Sequence, residues 1–68
     1  MSAPIRVLVN GDEREVLAGT GLRALLESLG VPEHFVAVEH NGELLEPGGE
    51  RPLAPGDRIE IVRFVGGG

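Results

Sequence analysis

The stretch Arg58-Ile59-Glu60-Ile61-Val62-Arg63-Phe64-Val65-Gly66-Gly67-Gly68 passes without a break from a strand pattern into a run of glycines. Apolar and charged residues alternate through its first part, which predicts a strand over residues 58–64 with one buried face. Glycine has no Cβ and leaves φ and ψ free, so the run suits a channel too narrow for other residues. Taken alone, the run also fits an unstructured terminus. In a functional tail, the carboxylate of Gly68 would be a chemical handle for another enzyme to activate.

Tight turns divide the remainder of the chain into short strands. Asn-Gly is the strongest short hairpin signal, and it occurs at Asn10-Gly11 and again at Asn41-Gly42. The segment Pro55-Gly56-Asp57 has the composition of a further turn, directly before the last strand. Together these turns predict strands over residues 5–9, 14–17, 35–40, 43–45 and 58–64.

One helix is predicted between the second and third strands. Its leucines recur at i, i+3, i+4 and i+7 from Leu22 to Leu29, which places them in one apolar stripe. Thr20 precedes this stripe and is predicted to be the N-cap, its hydroxyl accepting an unpaired helical N–H. Gly30 fits the left-handed position that ends a helix, and Pro32 prevents continuation.

The resulting order, β-β-α-β-β-β, predicts an α+β fold in which one helix covers one face of a mixed sheet of four or five strands. We expect a single domain over residues 1–68, with residues 65–68 as a flexible tail. Alternation within the strands assigns one face to the core. The core face is predicted to carry Ile5, Val7, Val9, Val36, Val38, Ile59 and Ile61.

Three apolar residues fall on the opposite face of the predicted sheet: Leu8, Val62 and Phe64. If the first and last strands pair, these side chains would form an exposed apolar patch, and such patches often mark docking surfaces. The alternative is that Phe64 folds over an edge of the sheet and seals the core.

Composition excludes several classes of function. The chain has no cysteine, which rules out disulfides, zinc–thiolate sites and iron–sulfur clusters. Its six basic residues against eleven acidic ones argue against nucleic-acid and anionic-membrane binding and suit a basic partner surface. All six are arginines, so there is no lysine for Schiff-base chemistry or for self-conjugation. With neither a membrane span nor a signal peptide in the pattern, a cytoplasmic protein, monomeric alone, is expected.

Candidate catalytic and metal-binding groups are sparse. His34 and His40 lie near Glu33 and Glu39, but nothing completes a ligand set with zinc spacing, and we interpret these positions as solvated. The acidic residues show no pairing pattern for general acid–base catalysis. We therefore expect no catalytic residue, no metal and no bound cofactor, as suits a protein that is itself a substrate.

The chain resembles the ThiS family of bacterial thiamine-pathway sulfur carriers, which have a ubiquitin-like β-grasp fold. The resemblance covers essentially the whole chain and rests on four segments. These are Val7-Leu8-Val9-Asn10-Gly11, Thr20-Gly21-Leu22-Arg23-Ala24-Leu25-Leu26, Val36-Ala37-Val38-Glu39-His40-Asn41-Gly42 and residues 55–68. The ending, Gly-Asp-x-Ile-Glu-Ile-Val-x-Phe-Val-Gly-Gly-Gly, is far more specific than Gly-Gly alone.

The resemblance implies a carrier that partner enzymes act upon. An E1-like, ThiF-like adenylyltransferase would use ATP to adenylate the Gly68 carboxylate, and a sulfurtransferase or cysteine desulfurase would supply sulfur for a thiocarboxylate. A ThiG-like thiazole synthase would then accept the sulfur. Val65, Gly66 and Gly67 would thread into the partner active sites, while the Leu8/Val62/Phe64 patch would dock the folded body.

Other readings share the glycine tail. The small subunit of molybdopterin synthase has the same fold, although it tends to carry a proline-containing segment where this chain has Arg63-Phe64-Val65. Carriers for tRNA thiolation or for other sulfur-containing metabolites, and a ubiquitin-like protein modifier, remain alternatives. A binding module without tail chemistry is the last one, and deletion of Gly68 would leave its function intact.

Overall fold

The computed structural model describes residues 3–32 and 36–63, and they form five strands and one helix. The predictions that concern Glu33, His34, Phe35 and residues 64–68 lie outside the described residues. The elements are β1 (Pro4–Val9), β2 (Asp12–Leu17), α1 (Leu22–Ser28), β3 (Val36–His40), β4 (Glu43–Leu45) and β5 (Arg58–Arg63).

The five strands form one mixed sheet in the order β2-β1-β5-β3-β4. β5 is the central strand: it pairs parallel with β1 on one side and antiparallel with β3 on the other. The two outer pairs, β1 with β2 and β3 with β4, are antiparallel hairpins. This arrangement confirms the predicted α+β fold with a single helix.

Both Asn-Gly pairs form the hairpin turns that the sequence predicts. Asn10 and Gly11 have φ values of 50° and 85°, and Asn41 and Gly42 have values of 52° and 87°. Two successive residues with positive φ define a type I′ turn, whose twist matches that of the flanking strands. Asparagine tolerates this left-handed region and glycine enters it without steric cost, so the two residue types explain the two turns.

The core lies between the sheet and α1. The face that the alternation in the strands predicts to be buried is the one that packs there. Val7, Ile59 and Leu22 are nearly inaccessible, while Ile5 and Ile61 are partly buried against them. Leu53 also belongs to this cluster, although it lies outside the helix and the strands. The buried residues are Val7, Val9, Leu22, Leu25, Leu26, Val36, Val38, Leu53 and Ile59.

The start of α1 differs from the prediction. Gly21, not Thr20, is the N-cap residue, and it has no side chain that could accept a hydrogen bond. The N–H of Arg23 instead donates to the Glu50 carboxylate (3.0 Å), and the N–H of Leu22 donates to the Arg51 carbonyl (2.8 Å). The cap therefore comes from residues distant in sequence, and the Thr20 prediction is wrong.

The end of α1 confirms the prediction for Gly30. Its φ is 69°, and its N–H donates to the Glu27 carbonyl at 3.0 Å. The N–H of Val31 reaches back to the Leu26 carbonyl, also at 3.0 Å. This pair of bonds is a Schellman motif, which satisfies two carbonyls that the helix leaves unpaired. None of the helices in the described residues is long and apolar enough to cross a membrane.

Candidate functional site

The candidate site is the outgoing end of β5, from which residues 64–68 follow directly in sequence. On one side, β3 accompanies β5 to its end, where Val36 is opposite Arg63. On the other side, the pairing with β1 ends at Ile59, opposite Val9. The predicted sulfur-bearing Gly68, the threading residues 65–67 and Phe64 all lie outside the described residues, so those assignments stay predictions.

Asn10 continues the support of β5 where β1 stops. Its main-chain N–H donates to the Ile59 carbonyl at 2.9 Å. Its side-chain Oδ1 accepts the N–H of Ile61 at 2.7 Å, and its Nδ2 donates to the Ile61 carbonyl at 3.3 Å. The side-chain amide thus bonds to β5 as the main chain of one more β1 residue would if the strand continued. Sequence reasoning missed this role because Asn-Gly was interpreted only as a turn.

A polar cluster holds the incoming end of β5. Asp57 accepts hydrogen bonds from His40 Nε2 (2.7 Å), Asn41 Nδ2 (3.1 Å) and the Ala54 N–H (2.9 Å). Asn41 Oδ1 in turn accepts the N–H of Arg58 at 2.8 Å. Partial burial alone would raise the pKa of Asp57, but these hydrogen bonds outweigh it and the pKa is lowered.

His40 is therefore not at a solvated position, contrary to the sequence-based interpretation. Its side chain is only 10% exposed and its ring is bonded to Asp57. The carboxylate that gives it a partner lies 17 residues further along the chain, which local spacing does not reveal. Among the described residues, no group of three or more His, Asp or Glu side chains is placed to hold a metal ion.

The predicted docking residues Leu8 and Val62 lie on the same open face of the sheet but are not adjacent. Leu8 is opposite Arg58, whereas Val62 is opposite Ala37 and four residues further along β5. At about 3.3 Å per residue, the two levels are about 13 Å apart. Val62 is 54% exposed, and Leu8 is half-buried.

The open face around Val62 has its own composition. Ala37 on β3 lies across from it. Leu44, 67% exposed, lies on β4, the strand on the far side of β3. Glu39 and Glu60 lie directly opposite one another between these apolar residues. Like charges at opposed positions disfavour strand pairing. We name this region the Val62 face and define it by Ala37, Glu39, Leu44, Glu60 and Val62.

A mixed five-stranded sheet with a parallel pairing of its first and last strands, covered by one helix, defines the chain as a ubiquitin-like β-grasp domain. A family model matches residues 7–68, and the chain belongs to the ThiS family. It is similar to a solved structure of a thiamine biosynthesis protein (ThiS) from Geobacter metallireducens. The TM-score is 0.71 at 32% identity, covering 94% of this chain and all of that one.

Two curated relatives are longer proteins, both named thiazole synthase. One, from Paramagnetospirillum magneticum, is 41% identical over 66 residues, and the other, from Magnetococcus marinus, is 39% identical over 66 residues. The aligned region is 94% of this chain but only 20% of each relative. The chain thus spans about a fifth of the length of these relatives.

Proposed function

We propose that this protein is a sulfur carrier of thiamine biosynthesis, with the Gly68 carboxylate as its reactive group. The observation that carries the proposal is the family match, which runs through the glycine run to residue 68. The fold supports it, because the central strand β5 leads directly into that run. A sheet with β5 in its middle is a rigid base from which a segment without side chains can be presented.

The chemistry requires activation of a carboxylate. Carboxylates are poor acyl donors, because the leaving group would be an oxide. In the proposed reaction the Gly68 carboxylate attacks the α-phosphate of ATP, pyrophosphate leaves, and an acyl-adenylate forms. A persulfide sulfur then attacks the carbonyl carbon and expels AMP, and a second thiol cleaves the resulting disulfide to release the thiocarboxylate. Sulfur is then held as a nucleophile bound to protein.

Threading the tail into an active site has an entropic cost that the tail itself does not offset. Fixing the backbone costs about 1–2 kcal/mol per residue, hence about 4–8 kcal/mol for residues 65–68. Three glycines bury almost no apolar surface in return. The folded body must therefore dock as well, and we propose that it does so through the open face of the sheet. Val62 belongs to the predicted docking set, and Ala37 and Leu44 add apolar surface on the same face.

The two thiazole synthase relatives support an enzyme of that name as the acceptor of the sulfur. Each contains a region like this chain within a protein about five times as long. A region that resembles a carrier and shares a chain with a thiazole synthase would be held close to its acceptor, as tethering raises effective concentration. We propose that the present chain serves such a synthase as its sulfur donor.

Mass spectrometry of the intact protein tests the function. The chain is incubated with an E1-like activating enzyme, ATP and a persulfide donor. We expect the mass of the chain to rise by about 16 Da, the difference between sulfur and oxygen. A variant lacking Gly68 is the matched control and should gain nothing. An unchanged mass of the full chain, under conditions that charge an established carrier, would refute the proposal.

A further inference from the structure

We propose that Asn10 is a positioning residue for the segment that leaves β5. Its side-chain amide fixes the main chain of Ile61 and thereby orients Val62 and Arg63, the last described residues of β5, which precede residues 64–68 in sequence. The inference deepens the proposed function and rests on it, since this orientation matters only if residues 64–68 enter a partner's active site.

The first step is that the two neighbours of β5 pair with it over different lengths. The hydrogen-bonded partner on the β3 side extends to Arg63, but β1 pairs with β5 only as far as Ile59. Beyond that point the chain turns away at Asn10-Gly11 to form β2. The side of β5 vacated by β1 faces an open cleft of about 380 Å³ whose walls include Arg14, Arg63 and Leu29. Within the described residues, the Asn10 side-chain amide takes the place of a paired strand on that side of Ile61 and hydrogen-bonds to its main chain.

The second step is the geometry of the contact. Oδ1 accepts the Ile61 N–H at 2.7 Å and Nδ2 donates to the Ile61 carbonyl at 3.3 Å, so both main-chain groups of one residue are held. Asn10 is itself fixed, because it occupies the first of the two central positions of a type I′ turn, with a φ of 50°. Because both main-chain groups of Ile61 are held, this end of β5 is restrained from rotating about the row of hydrogen bonds that joins it to β3.

The third step concerns how a change at Ile61 would affect the segment that follows β5. Arg63, the last described residue of β5, is only two residues after Ile61, and the segment proposed to enter a partner's active site follows it in sequence. Misplacement of a reacting group by even about 1 Å can reduce a rate about a hundredfold. Loss of the Asn10 contact should therefore affect the chemical step more than it affects docking of the folded body.

Asn41 offers a matched control within the same molecule. It occupies the same position of the other type I′ turn, with a φ of 52° against 50° for Asn10. Its Oδ1 also accepts a main-chain N–H of β5, that of Arg58 at 2.8 Å. Arg58 begins the strand, however, whereas Ile61 lies near its outgoing end. A purely structural role predicts similar consequences for the two asparagines.

The experiment compares Asn10→Gly with Asn41→Gly, substitutions that keep the positive φ accessible and remove the amide. Adenylation of the C-terminus by the E1-like enzyme is measured at a temperature where both variants are folded. We expect Asn10→Gly to lower kcat about tenfold with little change in KM, and Asn41→Gly to resemble wild type. Asn10→Asp, which retains the acceptor oxygen for Ile61, should recover part of the rate.

Hydrogen exchange supplies a readout that needs no partner. Exchange of the Ile61 amide should accelerate about tenfold in Asn10→Gly and stay near the wild-type rate in Asn41→Gly. Equal kcat values for wild type and Asn10→Gly, or equal losses in the two glycine variants, would overturn the positioning role while leaving the proposed function intact. Failure of the wild-type chain to be adenylated at all would overturn the proposed function, and the positioning role with it.

Discussion

At the scale of single residues, Asp57 joins four parts of the molecule. Its carboxylate accepts hydrogen bonds from the end of β3, the following turn and the segment before β5, while its own carbonyl accepts the N–H of Leu8 on β1. The side chain is only 12% exposed. A carboxylate so enclosed depends on its donors, because burying it without them would be costly.

We predict that Asp57 makes folding stability sensitive to acid. Its folded-state pKa is lowered below the ordinary value of 3.8, so its contribution is fully present above that value and is lost as the pH falls through the folded-state pKa. Asp57→Asn should cost about 2 kcal/mol of unfolding free energy at pH 7, the typical loss for a charged hydrogen-bonding group.

Urea denaturation of wild type and Asp57→Asn between pH 5 and pH 2.5 checks this prediction. The free energies of the two proteins should converge as the pH falls. Glu43 and Glu50, whose pKa values are also lowered, are present in both proteins and cancel in the comparison. Parallel curves would show that Asp57 is not the group responsible.

At the scale of elements, α1 shows where sequence reasoning succeeds and where it does not. Its leucine stripe and its end at Gly30 follow from local chemistry, and both are confirmed. Its N-cap does not, because the capping carboxylate belongs to Glu50, 27 residues after the N–H that it binds. The pairing of His40 with Asp57 and the separation of Leu8 from Val62 also depend on strand register. Local patterns do not contain such information.

The cap explains why position 21 is glycine. A Cβ at Gly21 would lie 2.6 Å from Glu50 Oε2, so a side chain at this position requires the capping carboxylate to shift. The Arg23 N–H, with which that carboxylate bonds, lowers the pKa of Glu50. Arg51, the next residue, donates from its two terminal nitrogens, Nη1 and Nη2, to the carboxylate of Glu43 on β4 (3.1 and 2.6 Å). This pair of bonds holds the segment in place.

We predict that Gly21→Ala lowers the melting temperature by about 5 °C, the usual effect of losing a helix cap in a small domain. The effect should be much smaller in a Glu50→Ala background, because the displaced carboxylate is already absent. A double-mutant cycle followed by thermal denaturation measures this coupling. Glu46→Ala, an exposed glutamate of the same segment, is the control and should have little effect. Additive losses would contradict the proposed cap.

At the scale of the whole molecule, the open face of the sheet has two unlike ends. Val62 and Leu17 are similarly exposed, at 54% and 66%. Val62 lies near the outgoing end of β5, whereas Leu17 ends the edge strand β2, opposite Pro4. Only the first position adjoins the segment that is proposed to enter a partner's active site. The two side chains therefore provide a test of which end docks.

We predict that Val62→Asp raises the apparent KM for the activating enzyme about tenfold, as expected for a central interface residue, and leaves kcat largely unchanged. Leu17→Asp should change neither constant. Steady-state adenylation assays on both variants, after circular dichroism has shown them folded, provide the measurement. Equal effects of the two substitutions would remove the Val62 face as the docking surface.

The central place of β5 has a consequence for how the chain folds. Residues 58–63 form the last of the described strands in chain order, yet both hairpins must join across them before the sheet exists. Contacts between the two ends of a chain give a high contact order, which slows folding. A nascent or truncated chain that stops short of β5 leaves both hairpins without their shared neighbour. Completion of the sheet is thus coupled to translation of the strand that precedes the glycine run.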